Sequence, residues 1–190
     1  EEVSQRFQSD PEKLSEYADR VAQGVAEVNL IPKPGEGGFR EGVLEAALTG
    51  WRARWDPQWG GNTGAQKFML PPTLKFLMAY SHLSGDSQAS NHLEHTLDRM
   101  ALGGVFDQVG GGFFRYSTDP RWHIPHFEKM LYDNAQLLGV FAKAYAASSK
   151  LEYKKVVERI FTFLERDMKA PGGGYYAALD ADTEGEEGKF

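Results

Sequence analysis

Paired glycines recur along the chain at intervals that suit a repeating helical fold. The pairs are Gly37-Gly38, Gly60-Gly61, Gly111-Gly112 and Gly173-Gly174, each followed by an aromatic or polar residue. The last three pairs are 51 and 62 residues apart, which leaves room for two helices and one long connection. A period of roughly 50 residues is typical of stacked helical hairpins, each unable to bury its apolar face alone.

Hydrophobic periodicity predicts helices over most of the chain. We expect them over residues 9–28, 40–55, 72–84, 87–100, 127–148 and 153–168. Gly85-Asp86 supplies a glycine stop and a turn between the third and fourth. No segment has a convincing strand pattern, although residues 113–117 alternate enough for a short hairpin arm.

Short links alternate with long glycine-aromatic links, and this alternation predicts an all-α toroid of helical hairpins. The long loops should then gather at one end, with Gly60, Gly111 and Gly173 together. About three hairpins fit in the chain, so we expect roughly half of an (α/α) ring. Exposed faces of such a part should lead to self-association.

Composition narrows the class of protein. The chain has 190 residues, of which 41% are hydrophobic, enough for one domain with a core. A net charge of -6 without a Lys/Arg cluster argues against a nucleic-acid or anionic-membrane surface. No run reaches about 18 apolar residues and the start lacks a signal pattern, so we expect a cytoplasmic protein. The absence of Cys excludes disulfides and thiolate metal sites within the chain.

Residues 103–136 form the stretch with the most chemistry, since they combine glycines, aromatics, acids, bases and imidazoles in one long connection. The predicted helix that opens at Pro125 places His126 in its first turn, facing the long loops, where an imidazole suits proton transfer. The alternative is a structural imidazole bonded to loop carbonyls. Asn134 lies inside the apolar stripe and should be buried and hydrogen bonded, while Asp133 lies on its border and either bonds a neighbour or meets a ligand.

Two interpretations fit four further residues of this connection, Asp107, Arg115, Tyr116 and Trp122. Trp122 and Tyr116 could stack on a sugar ring while Arg115 binds a carboxylate or a hydroxyl pair. Alternatively, the two aromatic side chains pack into the core and anchor the loop, and Arg115 pairs with Asp119 or Asp107. Both interpretations stay open from the sequence.

The acidic segment 180–188 supplies further candidates. Asp180 or Asp182 could pair with Asp107 or Glu128, because glycoside hydrolysis needs two nearby carboxylates. The alternative is a solvated acidic loop. The spacing of this segment does not meet the rule for a calcium loop, and His92 and His95 are expected on a solvated helix face rather than in a zinc site. No metal or cofactor is predicted.

Several motifs resemble one family. They are the run GGGFF with RYS after it, PHFEKMLYDNA at 125–135 and DADTEGEEGKF at 180–190. They resemble the YyaL-type family, also called the spermatogenesis-associated thioredoxin-like family, over about residues 40–190. Residues 60–68 depart from the family pattern, but Lys67 and Phe68 match.

The resemblance implies a toroid like those of six-hairpin glycosidases and N-acylglucosamine 2-epimerases. It also implies that residues 1–30 are a connector helix following a thioredoxin-like domain that is absent here, and that residues 31–190 are a partial toroid. The thioredoxin-like domain would then be a partner within a longer chain.

Two functional hypotheses follow. The first is a carbohydrate-active domain with acid–base chemistry, either an isomerase or epimerase or a glycoside hydrolase. His126 and Asp107 would move protons, with Asp182 as a second carboxylate. A sugar-like ligand would contact Arg115, Tyr116, Trp122, Lys129, Asp133 and Lys67. The second is a non-catalytic binding module serving the thioredoxin-like domain, with the glycine-aromatic loops as structural clasps.

Overall fold

A computed structural model describes residues 2–29 and 42–189. These residues form two compact units, which divide after Ala46. The first unit contains helices α1 (Glu2–Ser9) and α2 (Pro11–Asn29). The Asp10 carboxylate accepts the amide of Lys13, which makes Asp10 the cap of α2. The Gly37-Gly38 pair lies outside the described residues.

Helical hairpins build the second unit. Helix α3 (Val43–Arg52) crosses the division between the units. The helices after it are α4 (Pro71–Ser84), α5 (Ser87–Leu102), α6 (Leu131–Ser148) and α7 (Leu151–Phe163), the last continuing as a π turn over Leu164–Met168. Two-residue links make α4 and α5 one antiparallel hairpin and α6 and α7 another, and α4 also packs on α6.

The predicted turn at Gly85-Asp86 is confirmed. Gly85 has a φ of 71° and its amide donates to the Ser81 carbonyl, while the Asp86 carboxylate accepts the amide of Ala89. The glycine therefore ends α4, and the aspartate begins α5. Among the described helices, none is long and apolar enough to cross a membrane.

The core lies between the two hairpins and beneath the loops. Its largest fully buried side chains include Trp122, Tyr153, Phe106, Phe113, Phe141 and Phe163. Asn134 is buried among them, and its Oδ1 accepts the Phe113 amide at 2.7 Å while its Nδ2 donates to the Phe113 carbonyl at 3.0 Å. The prediction for Asn134 is confirmed, and this side chain fixes the long loop to α6.

Short strands pair the long connections with one another. The sequence had predicted no convincing strand apart from a short hairpin arm at 113–117. An antiparallel sheet has the order β1, β2, β3, and two further pairs are β4 with β5 and β6 with β7. Their ranges are β1 Lys67–Phe68, β2 Tyr116–Ser117, β3 Pro125–His126, β4 Lys129–Met130, β5 Ala178–Leu179, β6 Asp182–Thr183 and β7 Glu186–Glu187. Pairing of β1 with β2 and of β4 with β5 brings all three long connections to one end, as the glycine repeat predicted.

The start of α6 was predicted wrongly. We expected the helix from residue 127, but it begins at Leu131, because the backbone from 125 to 130 is paired in strands β3 and β4. The Arg115 amide also donates to the Glu128 carbonyl at 2.8 Å. His126 therefore lies on a strand and not in a first helical turn.

Candidate functional site

The first long connection holds a buried ion pair, which we call the first clasp (residues 55–62 with Lys67). Oδ1 of Asp56 accepts the amides of Gln58 and Trp59, each at 2.9 Å. Its Oδ2 accepts the Lys67 ammonium at 2.6 Å, and that ammonium also donates to the Gly60 carbonyl. Every oxygen of the carboxylate is thus used inside the protein.

The second connection repeats this arrangement in the second clasp (residues 106–113 with Lys129). Oδ1 of Asp107 accepts the amides of Val109 and Gly110, and its Oδ2 accepts the Lys129 ammonium at 2.6 Å. The same ammonium donates to the Gly111 carbonyl at 2.9 Å. Asp56 stands 51 residues before Asp107, the interval of the glycine pairs. The interval is visible in the sequence, but Asp56 was not among the predicted site residues.

The electrostatics of the two clasps agree with their geometry. Burial acts to raise the pKa of Asp107, but the hydrogen bonds from Lys129 and from the backbone amides outweigh it, so the pKa lies below its usual value. The pKa of Asp56 is lowered in the same way. Burial lowers the pKa of Lys67 and of Lys129, against the attraction of their carboxylates. We interpret both as ion pairs that hold the loop backbone.

Each clasp packs on the second helix of the hairpin that follows it. Gly60 has a φ of 71°, and a Cβ there would lie 2.6 Å from the Cα of Thr96 in α5. Gly111 has a φ of 81°, and a Cβ there would lie 2.6 Å from the Arg159 carbonyl oxygen in α7. Only glycine combines this backbone conformation with such close approach.

Several predicted site residues therefore lie in internal contacts. Asp107 and Lys129 form the second clasp, and Lys67 belongs to the first. Trp122 is 1% exposed and its indole Nε1 donates to the Trp59 carbonyl at 2.8 Å. These contacts match the alternative in which the aromatics and charges fix the loop, and they leave the predicted proton transfer by Asp107 without a free oxygen.

Between Asp107 and Lys129 lies a hairpin, strands β2 and β3, that carries the exposed candidates. The rings of Phe68, Tyr116 and His126 are register partners across β1, β2 and β3. Tyr116 stacks on Phe68 with centroids 4.8 Å apart and on His126 with centroids 4.9 Å apart. This stack fixes the plane of the imidazole, and the His126 side chain stays 27% exposed.

A carboxylate orients the imidazole. Nδ1 of His126 lies 2.7 Å from Oε1 of Glu187, which also accepts the Phe127 amide. A carboxylate at Nδ1 favours the tautomer in which Nε2 carries the lone pair. Within residues 2–29 and 42–189, Nε2 makes no hydrogen bond. An imidazole held in this way has a lone pair at Nε2 with which it can accept a proton.

Glu187 comes from the hairpin of β6 and β7. Glu184 and Gly185 at its tip have φ values of 55° and 81°, as a tight two-residue turn requires. Asp182 is the cross-strand partner of Glu187 and is exposed. Asp182 was a predicted site residue, whereas Glu187 was not. The glutamate-glycine turn in this segment is the signal that could have predicted the hairpin.

Arg115 pairs with neither Asp119 nor Asp107, the partners expected in its structural interpretation. Its Nε lies 3.3 Å from Oε2 of Glu128, and its Nη1 donates to the Tyr132 hydroxyl. Nearby, burial raises the pKa of Asp133, with Glu128 adding to the effect and Arg115 opposing it. Asp133 is therefore more readily protonated than an ordinary aspartate, which suits a proton donor.

His92 was expected on a solvated face but is buried. It stacks on Trp55 with centroids 4.2 Å apart, and burial lowers its pKa to about 4. Its imidazole is thus a neutral part of the packing around the first clasp. In the described ranges, no three His, Asp or Glu side chains meet in a group that could hold a metal ion.

The chain is closely similar to a group of animal proteins. No family model matches it. Human spermatogenesis-associated protein 20 is 45% identical over 139 residues, which cover 71% of this chain and 18% of the human protein. This chain belongs to the YyaL-type family. It spans less than a fifth of the length of that human relative.

Solved structures show the fold. A cellobiose 2-epimerase from Spirochaeta thermophila superposes with a TM-score of 0.62 at 23% identity, over 70% of this chain and 36% of the epimerase. A family 76 glycoside hydrolase from Bacteroides thetaiotaomicron superposes with a TM-score of 0.53 at 18% identity, over 68% and 27% of the two chains. The helical hairpins described above are therefore part of an (α/α) toroid.

Proposed function

We propose that this chain forms part of a carbohydrate-active toroid in which His126 transfers protons on a sugar. The observation that carries the proposal is the imidazole held at Nδ1 by Glu187 and on its face by Tyr116, with Nε2 free of hydrogen bonds to the described residues. The (α/α) toroids of a cellobiose 2-epimerase and of a glycoside hydrolase support a sugar as the ligand. The activity belongs to the whole protein, of which this chain supplies one part of the ring.

The reaction class that we favour is isomerisation or epimerisation. Nε2 of His126 would take the proton from the carbon beside the carbonyl of an open-chain sugar, leaving an enediolate. Return of a proton to the opposite face of that carbon gives the epimer, and return to the former carbonyl carbon gives the isomer. One imidazole with an orienting carboxylate suffices for the first transfer.

Glycoside hydrolysis is less well supported. A retaining mechanism needs two free carboxylates roughly 5 Å apart. Asp107 is paired with Lys129, and Glu128 is paired with Arg115. Neither residue therefore supplies the free carboxylate that the sequence-based pairing with Asp180 or Asp182 requires. Asp182, exposed across from Glu187, stays our proposed second carboxylate for this alternative.

The remaining roles in the proposal follow from position. Asp133, with its raised pKa, would return the proton, while Arg115 would bind the sugar oxygen on which negative charge develops. The ring edge of Tyr116 and the hydroxyl of Tyr132 would contact the sugar ring. Lys67, Lys129, Asp107 and Trp122 would act by holding the loops that carry these groups.

The test uses the full-length natural protein that carries this chain. Aldoses, ketoses and reducing disaccharides are incubated in D₂O, and loss of the proton beside the carbonyl is followed by NMR. His126→Asn should abolish the exchange, and Glu187→Gln should slow it by about tenfold or more. His123→Asn, an exposed histidine in the same hairpin, is the matched control and should exchange normally. Exchange that survives in His126→Asn contradicts the proposal, and release of reducing ends without exchange favours hydrolysis.

A second candidate is a non-catalytic binding module that serves a thioredoxin-like domain of the longer protein. The two clasps favour it, because they place four of the predicted site residues in internal contacts. In this case the full-length protein would bind sugars or its own thioredoxin-like domain without any exchange in D₂O. Self-association of the separate 190-residue chain stays a prediction, which sedimentation velocity tests.

A further inference from the structure

A cluster of two arginines and a tryptophan lies apart from the histidine site. The guanidinium carbon of Arg99 lies 4.9 Å from the ring centroid of Trp59, and that of Arg121 lies 5.8 Å from the same ring. One indole thus brings together cations from α5 and from the tip of the β2–β3 hairpin. Both arginines are exposed.

The two guanidiniums have no acidic partner in the part of the chain that the structure describes. Within residues 2–29 and 42–189, neither arginine forms an ion pair with a carboxylate. The nearest acid in sequence to Arg121 is Asp119, whose carboxylate accepts the backbone amides of its own turn, residues 121, 123 and 124, and the Ser117 hydroxyl. Two cations thus share one ring in a chain whose net charge is -6.

The cluster is built on a rigid support. The Trp59 amide donates to Asp56 of the first clasp, and its carbonyl accepts the indole Nε1 of the buried Trp122. Each guanidinium lies over the indole ring, and its N–H groups make no hydrogen bond within the described ranges. Both arginines are therefore placed around one indole ring with donors available for a ligand.

We propose that Arg99 and Arg121, held by Trp59, bind the phosphate of a small phosphate monoester. A phosphate monoester carries a charge of about −1.5 to −2 at pH 7, which matches two guanidiniums better than a single carboxylate does. Its oxygens also match the fork of donors on each arginine. The site shares no residue with the His126 site, and the proposal does not depend on the proposed isomerase activity.

The experiment is isothermal titration of the full-length natural protein with inorganic phosphate and with glucose 6-phosphate, at constant ionic strength. We expect saturable binding of both, weakened by about tenfold or more in Arg99→Gln and in Arg121→Gln. Arg54→Gln removes an exposed arginine outside the cluster and is the matched control, with unchanged binding expected. Thermal melts should show that all three variants are folded, since the three side chains are exposed.

Three results would overturn the proposal. Absence of saturable binding of either probe is the first. The second is binding that persists in both cluster variants or falls equally in Arg54→Gln, because the affinity would then be diffuse electrostatics. The third is tighter binding of glucuronate or of a short single-stranded oligonucleotide than of phosphate. The natural ligand would then be a carboxylate or a polyanion.

Discussion

The first and second clasps use the same contacts at different sequence spacing. In the first, 11 residues separate the aspartate from its lysine, and in the second 22 residues separate them. The added length in the second clasp holds the β2–β3 hairpin with Tyr116 and His126. An ion pair with a glycine turn is therefore the repeated framework of this end of the toroid, and the residues added between the two charges of the second clasp include Tyr116 and His126 of the candidate site.

A third glycine turn lacks the clasp. In it the Ala170 amide donates to the Gly174 carbonyl and the Gly173 amide to the Ala170 carbonyl, much as in the two clasps. Ala170 takes the place of the aspartate, so no carboxylate is available. A Cβ at Gly173 or Gly174 would meet nothing within 4 Å. The turn geometry thus occurs without the ion pair, and the ion pair accompanies close packing on a helix.

The largest expected effect compares the two lysines. Lys67→Met should lower the free energy of unfolding by about 3 to 5 kcal/mol, because it leaves the Asp56 carboxylate buried without its cation. Lys129→Met should cost less, since the side chain of Asp107 is 22% exposed against 12% for Asp56. Urea unfolding measures both, with the exposed Lys143→Met as control. An equal or larger loss in Lys129→Met would break the ranking.

The next comparison separates close packing from backbone strain. Gly111→Ala should cost about 3 kcal/mol, since it adds a clash with α7 to a positive φ. Gly173→Ala has a similar φ of 90° with open space around it, and should cost about 1 kcal/mol. Thermal unfolding of the two variants gives the difference. Equal melting temperatures for the two variants would mean that packing of Gly111 on α7 contributes nothing to stability.

Acid should affect the first clasp before the second. His92 beside Trp55 has a folded-state pKa of about 4, below the ordinary 6.5, so the unfolded chain binds more protons between these values. The stability that it provides is complete above about pH 6.5 and is lost as the pH falls to 4, by about 2 to 3 kcal/mol. Urea unfolding at pH 7 and pH 4 should show a smaller loss in His92→Phe. An identical loss in that variant would refute the assignment.

A buried amide is expected to matter more in the second clasp than in the first. Asn134→Ala should cost about 1 to 3 kcal/mol, because it leaves the amide and carbonyl of Phe113 without partners. Asn62→Ala should cost less, because Oδ1 of Asn62 accepts the indole N–H of Trp51 in a half-buried position. Parallel urea titrations rank them, and an unchanged midpoint in Asn134→Ala would remove this link between loop and helix.

The smallest stability effect is expected in the added hairpin itself. His126→Ala should change the free energy of unfolding by no more than about 0.5 kcal/mol, since its imidazole is partly exposed and its partner Glu187 is 47% exposed. The same variant should lose proton exchange on sugars. A large drop in melting temperature would instead make His126 part of the framework.

Local patterns in the sequence determined much of this protein. The apolar period of 3.6 residues predicted α4, α5 and α7, and glycine followed by aspartate predicted the turn at Gly85. The apolar stripe around Asn134 predicted its burial. Each of these depends on residues within one or two helical turns, so a single sequence is sufficient to reveal them.

Only the tertiary structure decided the rest. The strands are two residues long and leave no periodic pattern, and they moved the start of α6 from residue 127 to Leu131. The partners of Asp107 and His126 are 22 and 61 residues away in sequence, at Lys129 and Glu187. Several acids and bases in the long loops could have formed these pairs. The course of the folded backbone selected among them, because charges are paired by distance in space and not by distance along the chain.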